Sequence, residues 1–236
     1  MRFRNINLIL AAAVLAAGAV PAMAQNADKV RFANSNFDGN DRGGEFRLYD
    51  ALDDIPGLYG GKPVERYNEV NLEAVTFCLE RDEYIYFGEL YEFGISLEAD
   101  NGGVPSPPEN SNPDPISDQT AWLYEQFVLG TLSGYDYDGS GRDYDAGQLQ
   151  RAIWNLEEKY ALAGSDAKAT QWVAAANTAK DNGYTNGQNS GQVFVLNHWK
   201  PNKQALQSQL IYIVPTPTSV LAGTSAMGVL GVAYFF

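Results

Sequence analysis

The chain has 236 residues, of which 45% are hydrophobic and 12% aromatic, a balance that excludes a disordered polypeptide. Its 16 basic residues are outnumbered by 29 acidic ones, giving a net charge of −13. A surface this acidic repels phosphate backbones and excludes nucleic acid as a partner. A single cysteine and a single histidine exclude both a disulfide framework and a zinc centre.

Arg2 and Arg4 open the chain, residues 6–20 are apolar, and Ala22-Met23-Ala24 supplies a small-x-small cleavage site before Gln25. Residues 1–24 therefore read as a secretory signal peptide, and the mature protein is expected to be exported. Residues 25–44 are polar and glycine-containing and read as an irregular lead-in, with Gly43-Gly44 turning into a strand at 45–49. Residues 57–63 read as a turn-rich loop. From 72 to 97 the pattern is strongly β. Val75, Phe77 and Leu79 fall on one face of it and Thr76, Cys78 and Glu80 on the other. Residues 84–87 and 90–97 carry aromatic and branched side chains suited to further strands. Residues 101–115 hold five prolines and form a loop.

The middle of the chain is helical. Ser117 caps a first helix that ends near Gly130. After a Gly/Asp-rich connection at 135–147, Asp145 stands three residues before Gln148 and opens a second helix over 146–160. A third helix spans 166–180, stopped by Asn182-Gly183. Residues 192–196 and 207–214 return to strand. This order predicts an α+β fold: an antiparallel, sandwich-like sheet with an inserted helical subdomain of about three helices. The domain spans 25–213. From 214 to 236, the proline-broken run Val214-Pro215-Thr216-Pro217 precedes an uncharged, mostly apolar segment long enough for a membrane span. That tail resembles PEP-CTERM sorting signals in a degenerate form and implies sorting or membrane anchoring through 214–236.

The chemistry centres on Cys78. A lone thiol in an exported chain is either buried and inert or kept for its reactivity. On the second helix, Leu149, Ala152, Ile153 and Leu156 make an apolar stripe, with Gln150 at its border and Trp154 four residues on. If that stripe packs on the sheet, Gln150 reaches the strand–helix junction beneath an aromatic lid. A thiolate attacking its carboxamide would expel ammonia and leave an acyl–sulfur bond.

Phe77-Cys78-Leu79 and Leu149-Gln150-Arg151-Ala152-Ile153-Trp154 resemble the two signature segments of bacterial thioester domains, over roughly residues 45–214. The resemblance includes Thr120-Ala121-Trp122-Leu123-Tyr124 between them. It implies a self-formed thioester between Cys78 and Gln150, supported by Phe77, Leu79, Ile153 and Trp154, with no cofactor and no metal. The partner implied is an amine- or hydroxyl-bearing surface target, protein or polysaccharide, coupled once per molecule for adhesion or matrix attachment. The alternative expectation is a non-catalytic extracellular matrix or polysaccharide-associated protein with a buried, reduced Cys78. Elsewhere, Asp136 to Asp145 imitates a calcium loop but has Gly147 where the bidentate glutamate belongs, and reads as an acidic turn. His198 reads as a loop histidine following a strand.

Overall fold

A computed structural model describes residues 29–35, 37, 43–51, 55–99, 114–200 and 206–215. The expected signal peptide, all but the first two residues of the expected tail, and most of the proline-rich loop lie outside these residues. Among the described residues the elements run β1 (Lys29–Asn34), β2 (Phe46–Tyr49), α1 (Gly61–Tyr67), β3 (Ala74–Thr76), β4 (Leu90–Ser96), β5 (Glu98–Ala99) and β6 (Asp114–Pro115). They continue with α2 (Asp118–Val128), α3 (Arg142–Leu156), α4 (Ala167–Asp181), β7 (Gln192–Trp199) and β8 (Gln209–Ile213). The architecture is α+β. Six strands make one antiparallel sheet in the order β3-β2-β1-β4-β7-β8, and β5 pairs separately with β6.

The expected antiparallel sheet is present, and it curls until its two ends touch. Just beyond β3, Leu79 N–H donates to Ser208 C=O and Leu210 N–H donates to Phe77 C=O, both at 3.0 Å. These bonds set Cys78 opposite Gln209 and turn the sheet into a near-barrel. Strand alternation then sorts the side chains between two cores. Val30, Phe32, Leu48, Ala74, Tyr91, Leu196 and Ile211 fill the concave side. Val75, Phe77, Leu79, Val193, Val195, Leu210 and Tyr212 face outward into the helices, against Leu123, Phe127, Leu149 and Ile153. The helical layer therefore covers the end of the sheet where the curl closes.

Several local expectations shift. Residues 29–34 are a strand rather than part of an irregular lead-in, since Val30 and Phe32 both point into the concave core. Residues 61–67 form a short helix, which Pro63 tolerates because first-turn N–H groups have no intrahelical partner. Residues 84–87 are not a strand. The main chain of Tyr86 is instead tied to the Tyr91 hydroxyl, which accepts from its N–H at 3.2 Å and donates to its C=O at 2.7 Å. The helix expected at 146 begins at Arg142. Asp145 does not cap it, and accepts the Asp136 N–H at 2.7 Å while pairing with Lys168. The calcium-like turn is folded on itself, with the Asp136 carboxylate accepting Gly139 N–H at 2.6 Å and Gly141 N–H at 3.0 Å. Ser117 does cap α2, accepting Thr120 N–H at 3.1 Å.

His198 lies inside β7, not in a loop, and packs between the rings of Phe32 (4.8 Å) and Tyr91 (5.1 Å). Burial holds its imidazole down to about 3, from an ordinary value of 6.5. As pH falls below about 6.5 the unfolded chain takes up this proton and the folded chain does not until about 3, so stability is lost across that window. Urea denaturation at pH 7 and pH 5 is expected to show about 2 kcal/mol more loss in the native chain than in a His198→Leu variant. Equal losses in the two proteins would show that His198 does not titrate in this way.

Candidate functional site

The site is built where one strand changes partners. Up to Thr76, β3 pairs with β2, with Phe46 opposite Thr76 and Leu48 opposite Ala74. Two residues on, the strand pairs instead with β8. Cys78 and Gln209 form a non-hydrogen-bonded pair there, because the bonds to β8 come from the flanking residues 77 and 79. The N–H and C=O of Cys78 thus point away from β8, toward the side that β2 has left. Buried main-chain groups need partners, and among the described residues no strand supplies them.

Gln150 does. Cys78 N–H donates to Gln150 Oε1 at 3.0 Å, and Gln150 Nε2 donates to Cys78 C=O at 2.8 Å. A side-chain carboxamide takes the place of a neighbouring strand's peptide. The helix stripe explains its reach. Leu149, Ala152 and Ile153 enter the outward core, and Gln150 beside them is turned toward the sheet and is 1% exposed. The expected lid is also present. Trp154 and Phe46 enclose Cys78 in a small apolar cluster, with Ile85 and Tyr160 packed against it.

The Gln209 side chain favours the ionised form of the thiol against the burial that opposes it, while Gln150 holds the main chain of the same residue. The Thr76 hydroxyl orients Gln209 by donating to its Oε1 at 3.0 Å. Burial pushes the Cys78 thiol well up, and the Glu80 charge pushes in the same direction. Glu80 is itself buried. Desolvation and then the neighbouring Glu83 charge raise its carboxyl to about 8, although Oε2 accepts Ser208 N–H at 2.8 Å. The Trp154 indole N–H is buried with no hydrogen-bond partner among the described residues. Phe77 and Leu79 point outward into the helical core and do not line the thiol's apolar cluster.

A second constellation aims α3. Glu45, fully buried at the mouth of β2, accepts Arg142 Nε at 2.9 Å and Nη2 at 2.8 Å. It also receives the hydroxyls of Tyr67 and Tyr135. The rings of Phe37 and Tyr67 each lie 4.6 Å from the Arg142 guanidinium carbon. This forked, multiply bonded ion pair pins the first residue of α3 to the sheet. Gly43 completes the approach: a Cβ built there would lie 2.8 Å from Gln150 Cγ and 2.6 Å from the Trp154 ring.

Gln209, Gly43, Phe46 and the Glu45–Arg142 pair belong to the site without having been expected there. The polar run Gln207-Ser208-Gln209 at the start of an apolar strand is the sequence signal for the first. The others carry no local signal. Among the described residues no group of three His, Cys, Asp or Glu is arranged to hold a metal, and no helix is long and apolar enough to cross a membrane. Comparison of the chain with protein-family profiles, curated proteins and solved structures finds no match.

Two substitutions test this geometry. Arg142→Ala strands a buried carboxylate and is expected to lower unfolding free energy by about 3–5 kcal/mol in urea titration. In a Cys78→Ala background, which keeps the Gln150 carboxamide, Gly43→Ala is expected to cost about 1–3 kcal/mol by overpacking and to shift the Gln150 side-chain amide resonances. Unchanged resonances would show that Gly43 does not set the position of Gln150.

Proposed function

We propose that this chain forms an internal thioester between Cys78 and Gln150 and then couples through Gln150 to a nucleophile on another surface. The observation that carries the reading is the docking of the Gln150 carboxamide on Cys78, with its carbonyl oxygen already accepting the Cys78 N–H. That bond draws electron density from the carbon to be attacked, as an oxyanion-hole donor does. Bond formation requires the thiol to turn toward the Gln150 carbonyl carbon. Sulfur adds there, its proton passes to the departing nitrogen, and one ammonia leaves. The buried Glu80 carboxyl, held near 8, is a proton reservoir two residues away. In the coupling step an amine or hydroxyl adds to the same carbon, its proton goes to sulfur, and the carbon–sulfur bond breaks. Burial of the pair keeps water from doing this first. Each molecule reacts once, so the chain is a coupling reagent rather than a turnover enzyme.

In this reading the protein is exported and acts at the cell surface or in the extracellular matrix, held there by the segment 214–236, with adhesion or matrix attachment as its role. One observation favours a second reading, a non-catalytic matrix or polysaccharide-associated protein with a reduced Cys78. The Gln150 carboxamide already satisfies the Cys78 main chain in both directions, and burial disfavours the thiolate.

Intact-mass measurement separates the two. The coupling reading predicts a chain lighter by one ammonia that resists thiol alkylation until methylamine opens the bond. Cys78→Ala and Gln150→Ala should restore the full mass, whereas Gln209→Ala should not. A full-mass chain with a titratable thiol establishes the structural reading. Restoration of mass only by Gln209→Ala would move the acyl partner to Gln209.

A further inference from the structure

The loop between β3 and β4 presents three large aromatic side chains to solvent: Tyr84 is 59% exposed, Tyr86 51% and Phe87 45%. Water-facing rings in one short loop are unusual unless they meet something. Beside them lies a cleft of about 240 Å³, lined by Tyr84, Phe87, Ile85, Phe46, Asn34 and Glu83 among others. Its inner wall is the outer side of the Cys78 site. Phe46 and Ile85 line the cleft and also belong to the apolar cluster around the thiol and Trp154. The ring of Phe87 lies 5.9 Å from that of Phe46, so the exposed platform continues inward to this partition.

From this geometry we infer that the cleft is a docking site for a neutral polysaccharide, holding a hydroxyl-rich acceptor one aromatic ring away from the Cys78–Gln150 pair. The inference deepens the coupling reading and rests on it for its role, though not for binding itself. A sugar ring has an apolar C–H face and a polar rim of hydroxyls. Flat aromatic faces match the first, and the exposed Asn34 carboxamide, which both gives and accepts hydrogen bonds, matches the second. Among the described residues no basic side chain lines the cleft, and the chain carries a charge of −13, so acidic glycans and phosphates are repelled. A lysine chain would fill little of so broad a platform, and the face of Tyr86 already has the Lys200 ammonium 4.4 Å from its centre.

The test uses the full chain carrying Cys78→Ala, which cannot form the acyl bond, so docking is read apart from coupling. Cellohexaose, laminarihexaose and mannohexaose serve as probes, measured by saturation-transfer NMR and calorimetry. At least one should bind. Replacing both Tyr84→Ala and Phe87→Ala should weaken that binding at least tenfold, while Tyr144→Ala, an exposed aromatic elsewhere, should leave it unchanged. Binding of none of the three sugars, or binding that survives the double substitution, overturns the inference. So does displacement of the sugar by Nα-acetyl-lysine methylamide at equal concentration, which assigns the cleft to amines. Sugar binding by a chain whose wild-type form has full mass would keep the docking site and reject the coupling reading.

Discussion

A strand that exchanges one neighbour for another must leave some peptide groups without a ladder, and here that happens at Cys78. The sheet closes because residues 77–79 turn from β2 to β8, and the closure holds because a glutamine side chain from α3 fills the vacated position. The two hydrogen bonds at 3.0 and 2.8 Å are structural first: without them a buried N–H and C=O would be orphaned at a cost of about 1–3 kcal/mol each. The same contact sets a carboxamide beside the chain's only thiol. Under the proposed coupling the same side chain would first complete the fold and then supply the acyl carbon, giving up its Nε2 donor with the ammonia.

That contact depends on how α3 is aimed. The helix reaches the sheet edge at Gln150, two turns beyond the Arg142–Glu45 pair that fixes its first residue. A buried ion pair adds little net stability compared with apolar packing, but it tolerates few alternative geometries. Its value in this fold is directional. Gly43, on the short segment before β2, then removes the one Cβ that would keep the glutamine and Trp154 at a distance.

Periodicity made much of this legible. Alternation correctly separated Val75, Phe77 and Leu79 from Cys78, and the 3.6-residue stripe correctly placed Gln150 and Trp154 on its flank. Pairing was not legible, because alternation says which way a side chain faces but not which strand lies beside it. The closure between 77–79 and β8, and the Glu45–Arg142 bond spanning 97 residues, are therefore absent from any local window. His198 looked like a loop residue because Asn197 precedes it and Pro201 follows soon after. Its place inside β7 comes from register with β4, where it sits opposite Phe93. The start of α3 was misplaced for a local reason: Asp136 uses its carboxylate on its own turn, leaving the helix free to begin four residues before Ala146.

The closing seam also governs when the molecule can acquire its central contact. Thr76 and Gln209 are 133 residues apart, and β8 is the last strand of the sheet. A growing chain emerging from its N-terminus has the thiol early and the carboxamide later, but no far wall until nearly all of the domain has been made. Contacts between such distant positions form late, after the loop entropy between them has been overcome. The pocket around sulfur is thus assembled late in folding, which delays any reaction there until β8 has joined the sheet.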